Sequence, residues 1–197
     1  MGPFPHDAPR AQISSANPAG TDGFEFVEFA HRDPAQLETL FRRMGFTEVA
    51  RHKTMDISLY RQGGVNYILN REPGGHAATF VAEHGPCAPA MAWRVVDAQV
   101  ALQRCLDYGA KEYTGADKTL DVPAVIGIGG SLLYLVETYG EKGSPYAAAF
   151  EWLGEPDPRP EGVGFYYLDH LTHNVQRGNM DTWYRFYATV FNFLEIR

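Results

Sequence analysis

Apolar and polar positions begin to alternate at Phe24. In FEFVEFA (24–30), Phe24, Phe26 and Glu28 fall on one side and Glu25, Val27 and Phe29 on the other, which predicts a strand with one mixed face. The period then lengthens. Pro34 suits the first turn of a helix, with Asp33 as its cap, and Leu37, Leu40, Phe41 and Met44 recur at three- and four-residue spacing until Gly45. Three short strands are predicted next, near 46–51, 55–61 and 65–70, with Gln62, Gly63 and Gly64 as the turn between the last two.

The same order then recurs. Ala90–Val96 reads as a strand, Asp97 caps a helix carrying Val100, Leu102, Leu106 and Tyr108, and Gly109 closes it. Strands follow near 110–113, 122–128 and 131–137, with IGIGGS (126–131) as a turn. A third start appears at 165–172, followed by a helix over 179–191 and a short run at 193–196. Gly45 and Gly109 lie 64 positions apart, too long a step for the common helical repeats. A unit of strand, helix and three strands presents a half-open sheet, so such units are expected in pairs. The expected fold is therefore α+β, built from paired βαβββ modules. Residues 22–154 form a complete two-module domain, and 165–197 are the start of a further, truncated domain whose remainder is expected outside these residues.

Between these parts lies EPDPRPEG (155–162), rich in Pro and charge without an apolar period, which places a linker at 155–164. Residues 1–21, rich in Pro, Ala, Gly and Ser, are expected to be a disordered arm.

Composition narrows the function. Seventeen Lys and Arg against 24 Asp and Glu give a net charge of −7 with no basic run, which argues against nucleic acid as a partner. No apolar stretch approaches the roughly 18–20 residues of a membrane span, and no secretory signal is visible. Cys87 and Cys105 suit neither a disulfide framework nor a metal knuckle, so a reducing, cytoplasmic setting is expected.

The densest polar cluster is LDHLTHNV (168–175). On a strand, positions 170 and 172 share a face and 173 points the other way, so His170 and His173 cannot both hold one ion. Each remains a metal ligand or a hydrogen-bonded histidine of a sheet. HRD (31–33) lacks the remainder of a kinase loop, and GIGG (127–130) lacks the spacing of a dinucleotide site. Glu28 and Glu137 read as salt-bridged or solvated strand carboxylates, with metal ligation the rarer use. His6, His52, His76 and His84 stand in polar or Gly/Pro-rich surroundings and read as surface residues. Tyr113, Trp152 and Trp183 read as core or interface aromatics.

Three segments carry a resemblance: GFEFVEFA (23–30), DVPAVIGIGGSLLYLVE (121–137) and, above all, FYYLDHLTHNVQRGNMDTWYRFYATVFNF (165–193). Together they resemble the bacterial type of the 4-hydroxyphenylpyruvate dioxygenase family, of vicinal-oxygen-chelate architecture. The resemblance implies conversion of 4-hydroxyphenylpyruvate and O2 to homogentisate and CO2 in tyrosine and phenylalanine catabolism. It implies a non-haem Fe(II) held by two His and one Glu, leaving open positions for a 2-oxo acid and O2. His170 maps to the first metal ligand, Thr172 to the substrate pocket, and His173 to no ligand role. The second His and the Glu are expected beyond Arg197, so residues 1–197 alone are expected neither to bind iron tightly nor to turn over.

The resemblance also implies a cytoplasmic homo-oligomer, dimer or tetramer, whose N-terminal domain is metal-free. The residues agree on the last point. With Glu28, Glu137, Met91 and Arg94 as the candidates, an Arg-bridged carboxylate pair is easier to stabilise than a metal. Two other readings stand beside the dioxygenase: hydroxymandelate synthase, and a stand-alone module that takes a small ligand in its sheet cleft.

Overall fold

The computed structural model describes residues 9–195. The first module is strand β1 (Thr21–Ala30), helix α1 (Pro34–Arg43), β2 (Thr47–His52), β3 (Ile57–Gln62) and β4 (Val65–Asn70). Pro34 occupies the first turn of α1 as expected, but the Asp33 side chain makes no capping bond to the helix backbone. Its carboxylate takes the Gln36 amide instead, at 3.0 Å. β1 runs parallel to β4, and β2, β3 and β4 form an antiparallel meander, placing the strands in the order β1-β4-β3-β2.

The second module repeats the plan with β5 (Cys87–Val95), α3 (Ala98–Asp107), β6 (Ala124–Ile126) and β7 (Leu132–Val136). Its first strand again parallels its last, β5 with β7. The strand expected at 110–113 is reduced to one bridge between Glu112 and Val125. Asp97 caps α3 as its position predicts, accepting the backbone N–H groups of Gln99 and Val100 at 2.9 Å. β1 and β5 pair antiparallel, and this ladder joins the modules into one eight-stranded sheet.

One face of that sheet feeds a single cluster with residues from every strand, Phe26, Ala50, Leu59, Ile68, Ala92, Ala124, Tyr134 and Phe150 among them. The sheet therefore curls around its own core. The helices cover the other face. α1 packs over Phe46, Tyr60, Val65 and Leu69 through Phe41. α3 packs over Met91, Trp93, Val125 and Leu133, but through Ala98, Ala101, Leu102 and Cys105. Val100, Leu106 and Tyr108, expected on the buried stripe, are exposed. Small side chains let the helix lie close to the strands, and the larger apolar residues on the opposite flank then face solvent.

Several expectations need correction. Residues 9–20 are not a loose arm: Ala19 is fully buried, the Ala11 amide bonds Asp22, and Gly20 accepts the Val96 amide. Residues 1–8 of that arm lie outside the described residues. A helix α2 (Gly75–His84) links the modules, and a strand β8 (Phe150–Trp152) covers the edge of β2. Both escape the pattern, because α2 opens on Pro73-Gly74-Gly75, which reads as a turn, and β8 is three residues long. The stretch expected as a linker is docked against the first module. The run at 165–172, expected as a strand, pairs with none of the eight strands. A strand needs a neighbouring strand along its length, and this run meets a turn and one side chain at its start instead: the Tyr166 carbonyl accepts the Gly64 amide and the Phe165 amide donates to the Gln62 side chain. Its helix does form, as α4 (Met180–Phe191), lying against α3 with Arg104 donating to the carbonyls of Thr189 and Val190.

The packing of α3 sets a contrast between two of its faces. Ala101→Leu is expected to cost about 1–3 kcal/mol by overfilling the contact with the sheet. Val100→Ala, on the exposed flank, is expected to stay within about 0.5 kcal/mol. Urea unfolding of the two variants checks both values.

Candidate functional site

The inward face of the sheet is where the strands deviate from simple alternation. A register shift between Phe24 and Phe26 turns both Glu25 and Phe26 inward, so Phe24 lies outside, stacked on Trp93 at 4.6 Å. Glu25 is thereby buried, and three donors answer its carboxylate: Arg94 at 2.6 Å, the Tyr146 hydroxyl at 2.9 Å and the Asn66 amide at 3.1 Å. Asn66 in turn accepts from Arg61 at 2.6 Å, and Arg61 donates to Asp157 at 2.6 Å. Two guanidinium groups and two carboxylates thus alternate with amide and phenol across the inner face. A buried charge is tolerated only when compensated in this way. Burial, with the Glu25 charge beside it, pushes the Tyr146 phenol well above its ordinary range.

Glu28 lies further along β1. Its carboxyl accepts from Asn70 at 2.8 Å and from the Thr119 hydroxyl at 2.7 Å, while the Thr119 amide donates to the Tyr134 hydroxyl at 3.0 Å. Burial raises the Glu28 pKa, and the two hydrogen bonds lower it only in part. Beside it is a cavity of about 140 Å³ lined by Glu28, Asn70, Glu72, His76, Asp117 and Tyr134 among others. His76, expected at the surface, is part-buried, with Nε2 2.8 Å from the Gly130 carbonyl and its backbone N–H on Asp117. Asp117 also accepts the Tyr113 hydroxyl at 2.6 Å. Among the described residues, no group of three or more His, Cys, Asp or Glu is arranged to hold a metal.

The Arg-bridged pair of Glu28 and Glu137 expected here does not form: Arg94 holds Glu25, and Glu28 is met by Asn70 and Thr119. Glu137 instead accepts the Ala98 amide at 2.8 Å and so supports the start of α3, and Met91 faces outward beneath that helix. The sequence pattern does not single out Glu25, Arg61 or Asn66. Their signal is polar residues at inward positions of otherwise apolar strands, blurred by the register shift in β1.

His170 and Thr172 stand apart from this face. Both lie on the extended stretch before α4 and are exposed, with His170 Nδ1 2.8 Å from Asp169 Oδ2. Alternation holds along this stretch: Leu171, His173 and Val175 line an apolar cavity of about 310 Å³ with Trp93, Trp183 and Tyr187, while 170 and 172 face away. The structure does not bring His170 to the Glu28 cavity.

A family model described as "Hydroxyphenylpyruvate dioxygenase, HPPD, N-terminal" matches residues 15–151. The chain belongs to the HPPD N-terminal family. Its paired βαβββ modules are the vicinal-oxygen-chelate architecture of that family. The 4-hydroxyphenylpyruvate dioxygenase of Pseudomonas sp. (strain P.J. 874) is 50% identical over 184 residues, which cover 92% of this chain and 51% of that protein. A solved xylose isomerase-like TIM barrel/4-hydroxyphenylpyruvate dioxygenase fusion protein superposes with a TM-score of 0.80 at 35% identity, covering 91% of this chain and 29% of its own. A mutant 4-hydroxymandelate synthase from Streptomyces coelicolor shares the fold, with a TM-score of 0.73 at 19% identity, over 90% of this chain and 54% of its own. The chain spans about half the length of the dioxygenase relatives it matches.

The raised pKa of Glu28 carries a stability signature. The unfolded chain ionises this carboxyl near its ordinary value of 4.5. The folded chain ionises it only at higher pH, so stability falls as pH rises through that interval. Glu28→Gln removes this loss, and urea midpoints measured from pH 4 upward are expected to show the variant gaining on the parent as pH increases. Parallel pH profiles would refute the assignment.

Proposed function

We propose that this chain is the N-terminal portion of an Fe(II)-dependent 4-hydroxyphenylpyruvate dioxygenase, which converts 4-hydroxyphenylpyruvate and O2 to homogentisate and CO2. The observation that carries the reading is 50% identity over 184 residues to a protein of that name, extending well past the family's N-terminal segment. In this reading residues 22–154 are the supporting domain, 155–164 lead out of it, and 165–197 open the catalytic domain. His170 is the first of two His and one Glu that hold the iron, and Thr172 faces the substrate from the same side of the strand.

The described residues do not themselves fit a complete iron site. His170 is hydrogen-bonded to Asp169 and belongs to no three-ligand cluster among the described residues, and one imidazole does not hold Fe(II) against water in a catalytic geometry. The remaining ligands are assigned to residues beyond Arg197. The oxidative chemistry belongs to the iron and the substrate's own 2-oxo acid, and the protein's part is to hold the ligands and exclude side reactions. The same reading places the enzyme in tyrosine and phenylalanine catabolism, in the cytoplasm, as a homo-oligomer.

Hydroxymandelate synthase is favoured less, because its likeness at 19% identity bears on the fold alone. A stand-alone binding module is opposed by the inner face itself. The cavity beside Glu28 is about 140 Å³, below the roughly 300 Å³ at which small-molecule pockets begin.

Three measurements test the reading. The 197-residue chain, mixed with Fe(II) and desalted, is expected to retain no stoichiometric iron and to consume no O2 with 4-hydroxyphenylpyruvate. In a chain of its relatives' length, His170→Ala is expected to lose both iron and O2 uptake. Thr172→Val is expected to keep the iron and raise KM by about fivefold, the value of one hydrogen bond. Iron retained in full by His170→Ala would sink the ligand assignment.

A further inference from the structure

The turn between β3 and β4 receives more contacts than a hairpin end needs. Its two glycines differ in why they are glycines. Gly63 has a φ of +54°, which the turn itself demands, and a Cβ there would also stand 2.6 Å from the Phe165 carbonyl oxygen, whereas Gly64 has no positive φ. A Cβ on Gly64 would stand 2.5 Å from the Tyr166 carbonyl oxygen. What excludes a side chain at Gly64 is therefore the approach of another piece of chain. That piece also takes both backbone donors of the turn, Gly63 to the Pro160 carbonyl at 2.7 Å and Gly64 to the Tyr166 carbonyl at 3.1 Å.

The residues leading into the turn hold the same piece. Gln62 is fully buried, and its side-chain oxygen accepts the backbone N–H groups of Val163 at 2.5 Å and Phe165 at 3.2 Å. Its amide nitrogen donates to the Met44 carbonyl at 2.9 Å, which fixes the side chain at the end of α1. Gly162 approaches so closely that a Cβ there would lie 2.4 Å from the Gln62 side chain. One residue upstream, the buried Arg61 donates to Asp157 at 2.6 Å and to the Pro158 carbonyl at 3.0 Å. Asp157 is held in a left-handed conformation, φ +48°, and also accepts from Ser144. A left-handed non-glycine residue persists only where its surroundings impose it.

We propose that Arg61, Gln62 and Gly64 are positioning residues: they clamp residues 157–166 to the first module and set the point from which the segment bearing His170 departs. The functional half of this inference rests on the reading of His170 as an iron ligand. The clamp itself is a property of the 197-residue chain. On the docked side it acts mainly through backbone groups, so it fixes the path of the chain without engaging the side chains of 167–178. It also explains why a stretch with the composition of a flexible linker does not behave as one. Its carbonyl and N–H groups have specific partners, and three glycines, 63, 64 and 162, leave the space those bonds require.

The test has two arms. In the 197-residue chain, amide hydrogen exchange at Gly63, Gly64, Val163 and Phe165 is expected to be slowed relative to an unstructured peptide. Gly64→Ala is expected to speed exchange at Val163 and Phe165 by about tenfold, the loss of roughly one hydrogen bond's free energy, with Leu59 and Ile68 unchanged. Gln62→Leu, close in shape but without the acceptor, is expected to do the same and carries the test if the first variant fails to fold.

In a chain of its relatives' length, Gly64→Ala is expected to weaken Fe(II) binding by about tenfold with an unchanged melting temperature, as loss of a ligand's outer support does. Free exchange at these amides in the parent chain would overturn the clamp, as would unchanged exchange in both variants. Released amides with unchanged iron affinity would overturn its positioning role. A longer parent chain that takes up no iron would sink the dioxygenase reading, while the exchange arm still decides the clamp.

Discussion

The structure depends on the antiparallel ladder between β1 and β5. Each module by itself ends on its first strand, with a row of unpaired backbone groups along that edge. Pairing the two first strands removes both edges at once and produces a sheet long enough to curl around a shared core. The arrangement of the inner face is a consequence of this pairing. The ladder brings Arg94 of β5 beside Glu25 of β1, and the parallel pairing of β1 with β4 brings Asn66 and Asn70 beside Glu25 and Glu28. Neither carboxylate could be buried without these partners, because an isolated buried charge costs far more than a few hydrogen bonds return.

The curl also decides what the first two modules offer chemically. Their inner face is filled by Phe26, Tyr134, Tyr146 and Phe150, and its polar groups are satisfied by one another. Glu28 is met by an amide and a hydroxyl, neither of which is an anionic ligand. One hydrogen bond on each oxygen makes this carboxyl tolerable in the core. A support role for residues 22–154 in the proposed enzyme is the physical counterpart of that satisfaction.

The docking of 157–166 extends the same logic outward. Arg61 is shared between the inner chain of polar groups, through Asn66, and the docked segment, through Asp157. The buried network and the exit path of the chain are thus one connected set of bonds, and a change in either is felt by the other.

Local pattern determined most of the elements. The strands of both modules except the one expected at 110–113, α1, the Asp97 cap of α3 and α4 were legible, because alternation, three-four spacing and cap residues are short-range properties. The resemblance of 165–193 pointed to the family for the same reason: it resides in the residues themselves. What the sequence left open was decided by long-range contact. Whether 9–20 or 155–166 is loose depends on partners such as Val96 and Gln62, many positions away. Which flank of α3 is buried depends on how close the sheet lies, and a register shift in β1 sent Glu25 inward. The 165–172 run shows the converse. Its composition is that of a strand and its side chains still alternate, but strand structure is completed by a neighbour's hydrogen bonds, and no strand among the described residues supplies them.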